Sequence, residues 1–161
     1  MEFLLKSGTQ PDNHLRQKKM NRQLRKNSVI KIFQEVFENN QEVQFAYLYG
    51  SVAIGAQTPE SDIDVAVYLK SKTMNDFMRT EEELTFALIK RLHNDRVDLR
   101  VMNVLPVLMQ YRVLKEGTFI FSRNELDRVD FETQVMIRFF DLKPYLDEHI
   151  RMLSSKILRR F

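Results

Sequence analysis

Gly50 and Ser51 stand where one apolar run stops, and after ten intervening residues Asp62 and Asp64 open the next. The flanking runs, 43–49 (Val-Gln-Phe-Ala-Tyr-Leu-Tyr) and 62–69 (Asp-Ile-Asp-Val-Ala-Val-Tyr-Leu), are short, β-branched or aromatic, and bounded by turn formers. Both read as strands. Alternation along the second strand puts Asp62 and Asp64 on one face and Ile63, Val65 and Val67 on the other. Two carboxylates about 7 Å apart on one strand face repel unless a cation sits between them. Oxygen donors with no His or Cys beside them select a hard ion, Mg²⁺, over zinc. At Gly50-Ser51 the strand is expected to turn into a helix, whose first backbone N–H groups and dipole favour a phosphate. Ser51 adds a hydroxyl, and Gly50 lets the backbone approach closely. Gly50 and Ser51 are therefore assigned to triphosphate oxygens, and Asp62 and Asp64 to metal.

The remaining chain supplies a scaffold. Val29, Phe33, Val36 and Phe37 share one face of a helix expected from about Arg22 to Glu38. Leu84, Ala87, Leu88 and Leu92 do the same in a helix over 75–93, read as starting with the acidic run Glu81-Glu82-Glu83. Residues 97–101 alternate as a third strand, with Asp98 and Arg100 facing away from Val97, Leu99 and Val101. Asp98 is the expected third carboxylate of a two-metal site for in-line attack on phosphorus. Asp95 is its rival but precedes the strand. Arg100 either touches the nucleotide or acceptor, or pairs with Asp98. Pro106 and Gly117 bracket a helix over about 105–116, 118–122 is a fourth strand, and 125–140 and 144–160 read as two helices, the second opening at Pro144. The fold class is α/β: a small, mixed, twisted sheet of about four strands flanked by helices. Residues 1–20, with Gly8, Pro11, Asp12 and Asn13, are expected to form a flexible arm, and 21–161 a single domain. Met20 directly precedes the helical pattern and is read as the start, with 1–19 an extension. Intact-mass measurement of the natively expressed protein checks this.

Charge sharpens the functional classes. The net charge is +3, but residues 1–31 carry +6, residues 32–150 carry −7 and residues 151–161 carry +4. The body that holds the motif is acidic, which disfavours tracking a nucleic-acid backbone and suits metal–nucleotide chemistry. There is no Cys, so no disulfide framework or thiolate metal site, and His14, His93 and His149 show no paired-ligand spacing. No apolar run approaches a membrane span, and Phe3-Leu4-Leu5 is too short for a signal peptide, so an intracellular, cytoplasmic protein is expected. Ser51 lacks the Gly-x-Ser-x-Gly setting of a hydrolase nucleophile.

The strand-flanked Gly-Ser…Asp-x-Asp pattern with a later strand Asp resembles the DNA polymerase beta-type nucleotidyltransferase superfamily. The run from Tyr49 to Gly55 and that from Ser61 to Val67 resemble its minimal (MNT) branch. Arg112-Val113-Leu114-Lys115-Glu116-Gly117 and Phe139-Phe140-Asp141-Leu142-Lys143-Pro144 are similar to the MntA-type antitoxin group. One departure is Ile54, where the family often carries Arg. The resemblance implies ATP as co-substrate, a pair of Mg²⁺ ions on Asp62, Asp64 and Asp98, and AMP transfer to a tyrosine of a HEPN ribonuclease toxin, with a toxin hetero-oligomer as one assembly. The toxin's own Arg…His-x-Tyr signature is missing here: Ile150-Arg151 follow His149. Three alternatives stay open: transfer to a small molecule, modification of an RNA end, and a non-catalytic antitoxin that acts by contact.

Overall fold

The structure is a computed structural model that describes residues 13–53, 61–70 and 72–158. Four strands, β1 (Val43–Tyr49), β2 (Ile63–Leu69), β3 (Val97–Val101) and β4 (Thr118–Ser122), make one sheet in the order β3-β2-β1-β4. β1 pairs antiparallel with β2 and β4, and β2 pairs parallel with β3, so the sheet is mixed as expected. Helices α1 (Asn13–Glu38) and α3 (Met74–Leu92) cover one face. Helices α4 (Val107–Glu116) and α5 (Glu125–Leu158) lie against the other. The four-residue turn α2 (Gly50–Ala53) follows β1 directly.

Alternation explains both cores. Ile63, Val65 and Val67 of β2, with Leu99 and Val101 of β3, are buried with Phe33 and Phe37 of α1 and Leu84 and Leu88 of α3. Phe33 and Phe37 stack with ring centroids 5.8 Å apart, one helical turn apart on the stripe. The intervening β1 and β2 positions point the other way: Phe45, Tyr47 and Ala66 are buried with Met102 and Val113, and Tyr68 and Phe131 pack on them. Asp64 shares this second face by strand parity. The candidate site residue Asp64 therefore lies on the face under α4 and α5.

Several boundaries differ from the sequence reading. α1 begins at Asn13 rather than Arg22; the added stretch is rich in Lys, Arg, Gln and Leu, good helix formers with no apolar period to announce them. Residues 1–12 of the expected arm lie outside the described residues. α3 begins at Met74, capped by Thr73, whose Oγ1 accepts from the Asp76 N–H at 3.2 Å. Glu81-Glu82-Glu83 therefore sits inside the helix rather than at its start. Ahead of α4, Met102–Val104 form a 3₁₀ turn, and α4 itself starts after Pro106. The two C-terminal helices are one, running through Pro144. Proline in a helix leaves the carbonyl four residues earlier without its donor. Here that residue, Phe140, is 58% exposed, so water can serve it, and the Lys143–Asp147 ion pair at 2.6 Å spans the same turn. Among the described residues no helix is long and apolar enough to cross a membrane.

Candidate active site

Tyr49, Asp64 and Asp98 stand in a row across three strands. Tyr49 is the register partner of Asp64, and Asp64 of Asp98. The antiparallel pairing of β1 with β2 brings the Gly-Ser end of one strand to the carboxylate end of the next. The parallel β2–β3 pairing then sets Asp98 beside Asp64. Asp62 lies just ahead of β2 rather than within it and is exposed. Strand pairing is established at Ile63, whose N–H donates to the Arg96 carbonyl at 2.9 Å. Asp95, the rival third carboxylate, falls in the bend before β3 and has no place in the row.

Gly50 touches this row. Its φ is +66°, and a Cβ placed on it would lie 2.0 Å from Asp64 Oδ2 and 2.8 Å from Cγ. Glycine is needed there twice, for the left-handed backbone and for the space that the carboxylate fills. Ser51 follows, half-buried, in α2. Ile54, the expected departure, lies outside the described residues.

A residue that the sequence reading gave no role fixes this turn. Lys26 Nζ of α1 donates to the Ala53 carbonyl at 2.9 Å and to Thr118 Oγ1 of β4 at 3.0 Å. It ties the end of α2 to the neighbouring helix and strand. A signal for it was present: Lys26 continues the stripe of Val29, Phe33 and Phe37, where a charge is out of place unless it has partners.

The electrostatics follow from this crowding. The Asp64 carboxyl is held above the ordinary aspartate range, first by burial and then by the charges of Asp98 and Asp62; Arg100 opposes the shift. Burial, then Asp98 and Asp64, push the Tyr49 phenol up to about 12. Arg100 takes the second of its two expected roles. Its Nε lies 2.8 Å from Asp98 Oδ1 and its Nη2 donates to Oδ2 at 3.3 Å, a two-point pair on the edge strand. Glu81 of α3 lies near enough to feel Arg100, and burial raises its carboxyl above the usual range.

As placed, no three His, Asp or Glu side chains among the described residues converge as a ready ligand group. Asp62, Asp64 and Asp98 are brought to one end of one sheet face, with Asp98 turned toward Arg100. The donor set nevertheless fits a hard divalent ion. It is all carboxylate, and its central member is deprived of water and repelled by both neighbours.

Beside Gly50 and Asp64 is a cavity of about 230 Å³. Tyr49, Gly50 and Asp64 form its sheet side, and Met109, Arg112 and Glu116 of α4 its far wall. α4 is anchored there by Gly117: a Cβ on this residue would meet the Val113 carbonyl at 2.4 Å and that of Leu48 at 3.2 Å. Arg112 and Glu116 form an i,i+4 pair at 3.1 Å on the exposed side of α4.

Residues 31–126 match the family described as polymerase beta, nucleotidyltransferase. The protein adenylyltransferase MntA of Shewanella oneidensis is 33% identical over 107 residues, 66% of this chain and 72% of that one. A crystal structure of a toxin–antitoxin with AMP-PNP contains a chain with a TM-score of 0.62 and 25% identity, covering 80% of this chain and 98% of that one. The structure of a tri-AMPylated S. oneidensis HEPN toxin in complex with MNT antitoxin shares the fold, with a TM-score of 0.58 at 23% identity over 83% of this chain and 98% of that one.

Proposed function

This chain belongs to the polymerase beta nucleotidyltransferase family, and from that premise we propose that it is an antitoxin that transfers AMP from ATP to a tyrosine hydroxyl of a cognate HEPN toxin. The observation that carries the reading is the contact of Gly50 with the Asp64 carboxylate, beside Asp98 in register. It puts a close-approach backbone and a carboxylate set at one point. The likeness to the adenylyltransferase MntA supports AMP transfer to a protein, and the likeness to chains of toxin–antitoxin complexes supports the partner class.

In this reading Asp62 and Asp64 hold Mg²⁺, and Asp98 completes the site. The bound cation would offset negative charge on the oxygens of the reacting phosphate. Gly50 and Ser51 hold the tail phosphates through backbone N–H groups and the Ser51 hydroxyl. The acceptor oxygen attacks the α-phosphorus, the bond to the β-phosphate bridging oxygen breaks, and pyrophosphate leaves with that electron pair. The acceptor proton passes to Asp98, and Arg100 keeps that carboxylate aimed along the sheet edge.

The test incubates the chain with Mg-ATP and its toxin partner and weighs the partner. Wild type should add one or more AMP units. Asp64→Asn should add none while still binding the toxin, since the strand and its neighbours are kept. Equal labelling by wild type and Asp64→Asn overturns the assignment of the site. Full neutralisation by Asp64→Asn without labelling would instead establish contact as the mechanism.

A further inference from the structure

We propose that Arg112 is a phosphate-binding residue of this site, gripping the tail of the nucleotide from α4. The inference rests on the transfer reading above and adds a residue to which that reading gave no role.

The cavity at Gly50 and Asp64 measures about 230 Å³, below the roughly 300–1,000 Å³ typical of pockets that take a whole small ligand. It accommodates a part of a nucleotide. Its polar lining points to the phosphates: the Gly50 backbone, the carboxylates of Asp64 and Glu116, and the guanidinium of Arg112. Tyr49, Met109 and Val113 complete the lining, so an adenine ring is the competing occupant and adenosine is the probe that distinguishes it. Phosphate oxygens would find the glycine backbone on one side and a guanidinium on the other.

The way Arg112 is held leaves it fit for this. Its only ion pair among the described residues is through Nε, to Glu116 Oε2 at 3.1 Å. The two terminal amino groups, the fork that matches two phosphate oxygens at once, share in no hydrogen bond seen among those residues. Glu116 thus fixes the stem while the fork stays open at the cavity. Arg100, a second guanidinium near Asp64, is committed at both Nε and Nη2 to Asp98. The competing explanation is that Arg112 and Glu116 are an ordinary surface pair, 66% and 50% exposed. Such pairs contribute little to stability, so that explanation predicts no change in ligand binding when Arg112 is replaced.

Equilibrium binding of three probes separates the two: Mg-ATP, inorganic triphosphate with Mg²⁺, and adenosine. Arg112→Ala should weaken ATP and triphosphate by about tenfold or more and leave adenosine and the melting temperature unchanged. Arg112→Lys should recover part of the loss, because it restores the charge without the fork. Unchanged ATP and triphosphate binding in Arg112→Ala, or an equal loss for adenosine, overturns the assignment while the transfer reading stands. A wild-type chain that binds no ATP and labels no partner overturns both.

Discussion

Replacing Gly50 by Ala isolates the contact on which the site is built. Two costs arise, and the structure separates them. The first is backbone: at φ +66° an L-residue costs about 1–2 kcal/mol relative to glycine. The second is steric. The new Cβ would stand 2.0 Å from Asp64 Oδ2, 2.8 Å from Cγ and 3.2 Å from Cβ, so the carboxylate has to swing away from the turn. Because the nearest atom is the end of a rotatable side chain, this second cost adds about 1 kcal/mol rather than unfolding the sheet. Gly50→Ala should therefore lose about 2–3 kcal/mol in urea unfolding, while AMP transfer falls on the order of a hundredfold because a displaced catalytic group is out of reach. A double-mutant cycle with Asp64→Ala tests the division. Removing the carboxylate relieves the steric part and leaves the backbone part, so the two substitutions should couple by about 1 kcal/mol. A Gly50→Ala protein that unfolds at the wild-type urea concentration and transfers AMP at the wild-type rate refutes the reasoning. Additive losses would refute the contact alone.

Lys26→Met keeps the length of the stem but removes both hydrogen bonds to Ala53 and Thr118. It should raise the KM for Mg-ATP about tenfold, with Lys26→Arg restoring most of it; a normal KM would show that α2 holds its place unaided. Away from the site, burial and the hydrogen bond to Glu132 push the Tyr47 phenol above the ordinary tyrosine range. Above about pH 10 the unfolded chain releases that proton and the folded chain does not, so the stabilisation is whole below pH 10 and is lost as pH rises. The wild-type urea midpoint should fall between pH 9 and pH 11 more steeply than that of Tyr47→Phe; parallel slopes would contradict the assignment.

The strands were legible because each is a short alternating run closed by turn residues. β1, β3 and β4 have the bounds that the pattern of 43–49, 97–101 and 118–122 implies. The parity argument for Asp64 and Asp98 succeeded for the same reason, since one wrong register step would have moved either to the opposite face. What failed was exposed or polar. The N-terminal turns of α1 carry no apolar period, and the helix through Pro144 depends on solvent rather than on packing. The partners of Lys26 lie 27 and 92 residues away, so no local pattern names them. Asp98 shows both sides of the problem: its place in the row could be read, whereas its commitment to Arg100 is a rotamer.

The charge balance at this end of the sheet joins these pieces. On the face under α4 the carboxylates of Asp62, Asp64, Asp98 and Glu116 stand against the guanidiniums of Arg100 and Arg112. Arg100 is paired to Asp98 and Arg112 to Glu116, while Asp98 and Asp62 both add negative charge beside Asp64. A divalent ion held there would offset that charge. Without it, burial first and then the charges of Asp98 and Asp62 keep the Asp64 carboxyl raised, and a bare triphosphate would add more negative charge beside it. With it, the same carboxylates would serve as the anchor and, on the proposal above, Arg112 would meet the phosphate oxygens. An arrangement that repels the polyanion until a metal accompanies it is poorly made for gripping a nucleic-acid backbone, whose affinity grows from many uncommitted Lys and Arg contacts. It is well made for admitting one metal-bound nucleotide at a time, whatever the basic segments at either end of the chain contribute to the net charge.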